Sequence, residues 1–312
     1  MFSRNATNNA KGVAIFCVMF FHLAQMKKIP IDGFYSFFAT ASVSFFLLIS
    51  GYGLTKSYLK NGLDNFFVKR ASAVYIPFAL SSIILAAVKG FYPERFLDVM
   101  KTITFLAPSL PIDGTMWYIY FIALLYLIFY LSFLFCSRLS LHPAFGASII
   151  FIACFFIHNN SIPDKYNTIK TLFSFHAFSF PIGVIIGLVN LNSQRSAKVY
   201  HAIAISSFVI LFISLKIHPS FIKFIISSVL FGLALISFFE ITKITTTTTA
   251  FLGAYSYEAY LFEGVLRYIK YSDNYFINAL LFFMLVFAIS FTFKVMTKEI
   301  IKNIVALRLH SN

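Results

Sequence analysis

The sequence predicts an all-α polytopic membrane protein of about ten transmembrane helices, forming a single transmembrane domain over residues 1–312. Hydrophobic residues make up 59% of the 312 positions and charged ones 12%. Mean hydropathy is +0.83, a composition that the surface of a water-soluble domain of this length does not carry. Apolar stretches long enough to cross about 30 Å of hydrocarbon recur along the whole chain and leave no room for an appended soluble domain. Strand-like alternation with frequent turn residues is missing, which argues against a β-barrel.

The first span is read at 9–26. Arg4 and Lys11 lead into it as they would into a secretory signal, but no small-residue cleavage site follows and Lys27-Lys28 does, so it is expected to stay as a helix. The second, third and fourth spans, at 34–55, 71–89 and 116–137, have uncharged cores. The long connection at 90–115 holds Phe96, Leu97, Met100 and Ile103 on one helical face and Arg95, Asp98 and Lys101 elsewhere, the pattern of a helix lying at the membrane surface. The fifth span, 144–160, is weaker. The sixth, 171–191, carries Gly183 and Gly187, a spacing that lets helices approach closely. The seventh and eighth, 199–216 and 221–240, are again weaker. The Thr245–Thr249 run is expected to fill a turn and cap the ninth span, 250–267, because threonine oxygens accept from free helix-start amides. The tenth span is 274–296.

With the N-terminus cytoplasmic, the cytoplasmic connections and both termini hold the larger share of the 25 Lys and Arg residues. The densest basic cluster, Lys56, Lys60, Lys69 and Arg70, then falls on the cytoplasmic face, between the second and third spans. The net charge of +14 is accounted for by this topology and makes no case for nucleic acid. Cys17, Cys136 and Cys154 all lie in spans, where they behave as small hydrophobes, and no disulfide or metal spacing is present.

Two polar groupings stand out against this background. In the first span Lys11 and His22 are eleven residues apart, which at about 100° per residue returns them to one stripe separated by about 16 Å of rise. An ionisable ring at membrane depth faces a protein interior or a wet cavity. From the residues alone, His22 is either a reactive base or a hydrogen-bonder to a neighbouring helix beside a snorkelling Lys11. In the ninth span Ser256, Tyr260, Glu263 and Arg267 follow i, i+4, i+7, i+11 spacing and share one face, with Glu258 well away from it. A charged Glu263 in that stripe needs a partner, and Arg267 one turn on or His22 across the bundle would serve.

Several segments, in order, resemble the acyltransferase-3 family of integral membrane acyltransferases. Lys11 to His22 is similar to the family's basic residue, ten intervening residues and His. Phe45-Phe46-Leu47-Leu48-Ile49-Ser50-Gly51-Tyr52 resembles its FF-hydrophobic-SGY segment. Phe67-Val68-Lys69-Arg70 with Val74-Tyr75-Ile76-Pro77-Phe78 is similar to its basic stretch running into Arg-Ile-Tyr-x-Pro. Trp117-Tyr118 resembles the opening of its fourth helix, and Tyr255 to Leu261 resembles its late Ser-Tyr-x-x-Tyr-Leu segment. Ala73 stands where an Arg is common, and Glu263 where many members have His.

The resemblance implies O-acylation, most often O-acetylation, of a cell-envelope glycan or lipid-linked saccharide, such as an O-antigen or capsule unit, at a bacterial inner membrane. Acetyl-CoA would be the donor, with no metal. His22 would be the base, oriented by Glu263. Lys11, Lys69 and Arg70 would hold the CoA phosphates, and Ser50, Tyr52, Trp117, Ser256, Tyr260 and Arg267 are candidates for the substrate site. The sequence lacks the fused extracytoplasmic hydrolase-like domain of some members, so transfer is finished alone or handed to a separate extracytoplasmic partner. A proton-coupled transporter or flippase of a glycan or small solute, with His22, Glu263 and Arg267 as a relay, is the alternative.

Overall fold

The computed structural model describes residues 2–26, 33–88, 90, 93–107, 110–160, 168–189, 194–218 and 220–310. Its helices, in chain order, are α1 (Arg4–Met26), α2 (Gly33–Asn61), α3 (Phe66–Arg70), α4 (Ile76–Val88), α5 (Pro93–Ile103), α6 (Trp117–Arg138), α7 (Pro143–Asn160), α8 (Thr168–His176), α9 (Ser179–Leu188), α10 (Gln194–Ile217), α11 (Phe221–Thr242), α12 (Thr247–Ala254), α13 (Ser256–Leu266) and α14 (Tyr275–His310). A π-helical turn, Ala71–Tyr75, joins α3 to α4, and a 3-10 turn, Gly114–Met116, leads into α6. Helices satisfy their own backbone groups, which hydrocarbon cannot do for them. Among the described residues, nine segments are long and apolar enough to cross a membrane.

The chain divides into two compact units. The first comprises residues 1–21, 30–64 and 121–254. Its centre is the close pairing of α2 with α9, made possible by missing side chains. A Cβ on Gly183 would overlap the Leu48 carbonyl, one on Gly51 the Phe180 carbonyl, and one on Gly187 would come within 2.6 Å of Thr55 Cβ. Gly183 and Gly187 therefore act as the small-residue spacing predicts. The α1 stripe Ala6, Ala10 and Ala14 packs into a core with Phe45, Leu48, Val229 and Ile236, and Phe37 anchors an aromatic cluster with Phe212 and Phe224. Gly12 of α1 lies against the Thr249 backbone and Gly253 of α12 against the Asn8 carbonyl. Thr246 caps α12, its hydroxyl accepting from the Thr249 amide at 3.1 Å. His176, buried on α8, bonds Ser44 at 2.8 Å.

The second unit comprises residues 22–29, 65–120 and 255–312. In it α13 packs on α14 and α4: Phe262 meets Phe293 edge-on at 4.9 Å, and the Tyr257 hydroxyl donates to the Val74 carbonyl at 2.8 Å. That carbonyl belongs to the π turn, where the altered ladder leaves backbone acceptors available. Lys294 of α14 pairs with the buried Glu258 at 3.0 Å. Helix α5 buries Val99 and Thr102 and leaves Phe96, Leu97 and Met100 exposed, the surface an interfacial helix presents to lipid. The side chain of Arg95, like Lys27-Lys28, lies outside the described residues.

Two features differ from the sequence expectation. The apolar run 250–267 is not one helix. It breaks at Tyr255 (φ −111°, ψ 12°) into helices of 8 and 11 residues, the first packed in one unit and the second in the other. The connection carrying the basic cluster is also shorter than it reads. Helix α2 runs on to Asn61, so Lys56 and Lys60 sit on its last turns, and only residues 62–65 form the link, with Gly62 (φ 58°) and Asn65 (φ 53°) left-handed. Helix α2 is unbroken through Ser50-Gly51-Tyr52-Gly53; Gly51 packs on the Phe180 carbonyl, while Gly53 faces open space.

Candidate active site

His22 stands one turn from the end of α1, within the second unit. Its Nδ1 lies 2.8 Å from Glu263 Oε1. The His22 side chain keeps 21% of its surface exposed and Glu263 none. An ionised carboxylate only accepts, so with Glu263 ionised it is Nδ1–H that donates. The arrangement is a half-open imidazole whose inner edge is fixed by a buried anion. Of the two partners the sequence offers Glu263, the structure joins it to His22.

The neighbours of Glu263 come from the connection before α6 as well as from its own helix. Asp113 is buried and caps the 3-10 turn, its Oδ1 accepting from the Thr115 amide at 2.9 Å. Its carboxyl rests on Gly264, the residue after Glu263, where a Cβ would overlap it. Tyr260, one turn before, donates its hydroxyl to the Thr115 carbonyl and meets the Tyr118 ring at 5.5 Å. Arg267 ends the helix with its guanidinium 5.3 Å from the Tyr268 ring. Four buried polar atoms of this group, Asp113 Oδ2, Thr115 Oγ1, Glu263 Oε2 and Arg267 Nε, have no hydrogen-bond partner among the described residues. Asp113 precedes the membrane-spanning segment that begins at Gly114. Burial pushes its carboxyl above the ordinary range; the Thr115 amide opposes the rise, Glu263 adds to it, and Arg267 opposes it.

The second unit therefore holds His22, Tyr260, Glu263 and Arg267 together with Asp113 and Thr115, which sequence reasoning missed. The available signal was a lone carboxylate with Thr two residues on, just before Trp117-Tyr118, but that pattern reads first as a turn. Trp117 and Tyr118 open α6 with their rings edge-on at 6.2 Å. Ser256 is buried at the start of α13. Lys69 and Arg70 share this unit, on α3 immediately before the π turn, with Lys69 exposed. Glu258 is engaged by Lys294 and stands apart from the cluster.

Lys11, Ser50 and Tyr52 belong to the first unit. Lys11 and Ser50 are half-buried on α1 and α2. The Tyr52 hydroxyl accepts from the Phe2 amide at 3.2 Å and its ring meets that of Phe2 at 4.7 Å. Tyr52 thus ties the N-terminal segment to α2. Elsewhere in that unit His201 and Ser237 bond at 2.8 Å, a pairing that needs no chemistry beyond helix packing.

The family model for an acyltransferase domain of the acyltransferase-3 type matches residues 4–298. The chain belongs to the acyltransferase-3 family. Comparison with curated proteins and with solved structures gives no match. The match takes in all nine candidate spans but for the last few residues of α14's, so the acyltransferase is an all-α polytopic membrane protein. The cluster around His22 lies wholly within the acyltransferase domain.

Proposed function

We propose that this acyltransferase moves an acyl group, acetyl in the first instance, from acyl-CoA to a hydroxyl of a cell-envelope glycan. The observation that carries the reading is the His22–Glu263 pair, a partly exposed imidazole held at Nδ1 by a fully buried carboxylate. Esterification by a thioester needs a base placed against the accepting hydroxyl. In the proposed step the hydroxyl oxygen attacks the thioester carbonyl while His22 Nε2 takes its proton. The C–S bond then breaks, the ester forms, and His22 returns the proton to the leaving thiolate. Glu263 holds the ring in the required tautomer and stabilises the imidazolium between these events.

Lys69 and Arg70 supply positive charge for the CoA phosphates. They sit side by side at the end of α3, which follows the connection that the charge rule assigns to the cytoplasm, where CoA is found. The π turn that follows gives this short basic helix a fixed seat through Tyr257.

The test is purified protein in proteoliposomes with acetyl-labelled CoA and a lipid-linked or capsular saccharide. The expected result is His22-dependent transfer of label into an alkali-labile ester. Uptake of a solute with no label transferred would overturn it in favour of transport.

A further inference from the structure

Helix α5 runs back down the side of α4. It begins shortly after α4 ends at Val88 and packs on that helix. Its far end reaches the start of α4. Just past Ile103, Phe105 (φ 60°) turns the chain and stacks its ring on that of Phe78 at 5.8 Å, with the Tyr75 ring at 6.1 Å. Tyr120 of α6 closes the same level, donating its hydroxyl to the Thr102 carbonyl at 2.9 Å. At 1.5 Å per residue, Val88 lies about 15 Å from Phe78 and about 27 Å from Arg70. The interval from Arg70 to Val88 nearly matches a hydrocarbon core of about 30 Å. Phe78 therefore marks the middle of the membrane, and the tip of α5 reaches it. A helix lying flat on the surface would keep its whole length at the level of Val88.

The return toward the outer face is incomplete. Met116 Sδ accepts from the Ser82 hydroxyl at 3.7 Å, a level about 9 Å below Val88, so α6 starts inside the membrane. Between Phe105 and Met116 the described backbone is not α-helical, and within hydrocarbon such backbone persists only when it is buried in protein or lines water. The segment has two unlike sides. Phe96, Leu97, Met100 and Leu106 are apolar and exposed. Thr102, Asp113 and Thr115 are buried, and each carries a side-chain oxygen with no hydrogen-bond partner among the described residues. Gly114, between the last two, is exposed, and a Cβ there would meet nothing within 4 Å. This open point adjoins Asp113, whose carboxyl rests on Gly264, the residue after Glu263.

We propose that α5 and the described residues linking it to α6 form a re-entrant hairpin, one side against lipid and the other bordering a hydrated mouth at Gly114 that admits the acceptor. The apolar stripe of α5 and Leu106 make the lipid side. Asp113 and Thr115 stand behind the mouth, where a carboxylate oxygen accepts from hydroxyls and a threonine hydroxyl both accepts and donates. Those are the partners that water or a sugar supplies and lipid does not. The hairpin also accounts for the low start of α6, because the chain enters that helix from within the membrane. The identity of the mouth's occupant rests on the acyl-transfer reading; the course of the hairpin does not.

The test is spin labelling of the full chain in nanodiscs, on a background in which Cys17, Cys136 and Cys154 are replaced by Ala. Labels on Leu97→Cys, Leu106→Cys and Gly114→Cys are compared by power saturation with oxygen, which partitions into lipid, and with a nickel chelate, which stays in water. The Leu106→Cys label should lie about 10 Å deeper than the Leu97→Cys label; equal depths overturn the hairpin. If Leu106→Cys does not fold, Met100→Cys takes its place and must still lie deeper than Leu97→Cys. The Gly114→Cys label should meet the chelate several-fold more often than the Leu106→Cys label, and the saccharide of the transfer assay should reduce that access. Exclusion of the chelate from Gly114→Cys, or access unchanged by a saccharide that is being acylated, overturns the mouth. The expected depths and chelate access in a protein that transfers no label instead refute the acyl-transfer reading alone.

Discussion

His22 Nδ1 and Glu263 Oε1 are 2.8 Å apart across 241 residues of chain. The bond fixes the Nδ1 edge of the imidazole, which is distinct from the Nε2 edge. The proposed chemistry assigns this edge the substrate's proton. Replacing His22 with Gln, which preserves polarity, should lower transfer by about 10²–10⁴-fold, the usual contribution of a positioned base. Membrane insertion and expression should be unchanged. Wild-type turnover at matched protein level, read by label transfer, would remove His22 from the reaction.

Glu263→Gln keeps the shape and an acceptor oxygen but removes the buried charge. Activity should fall mainly in kcat, by about 10²-fold, because the imidazolium formed during transfer loses its counter-ion. Acyl-CoA binding, measured by isothermal calorimetry, should stay within about twofold of wild type. A variant that binds acyl-CoA poorly yet turns over normally when saturated would place Glu263 in donor binding instead.

Replacing Lys69 and Arg70 together with Gln should raise KM for acyl-CoA by about tenfold or more while changing kcat little, since phosphate contacts made equally in ground and transition states are uniform binding. The effect should shrink at high salt. If KM is unchanged and protease protection shows inverted topology, the two residues act only as orientation signals.

Gly264→Ala tests the packing of the cluster directly. The added Cβ overlaps the Asp113 carboxyl, so the variant should be destabilised by about 1–3 kcal/mol, the usual cost of overpacking, and should lose activity with it. Combining it with Asp113→Ala removes the clash and should restore part of the thermal stability in detergent. Additive destabilisation in the double variant would show that the two positions do not touch.

The Glu258–Lys294 pair provides a contrast within the same helix. Lys294→Met strands a carboxylate that is 6% exposed, and should cost about 3 kcal/mol, while Glu258→Leu with Lys294→Met should recover most of it. The measurement is the detergent melting temperature.

The sequence alone determined the membrane class, the order of the helices and the need of Glu263 for a polar partner. Each of these is a local property. Hydropathy is summed along the chain, and helical periodicity already puts Ser256, Tyr260, Glu263 and Arg267 on one stripe. Tertiary structure decided three things. It chose His22 over Arg267 as the partner that binds Glu263 Oε1, a choice between groups 241 and 4 residues away that no local pattern resolves. It broke the 250–267 run at Tyr255, because Gly253 packs against α1 while α13 packs on α4 and α14, and hydropathy does not register a bend in an apolar run. It also turned Asp113 from a turn-forming residue into a buried neighbour of Glu263. The physical reason lies in Gly264: only the absence of a side chain there admits a carboxyl, and a glycine inside a helix says nothing by itself about what will fill the space.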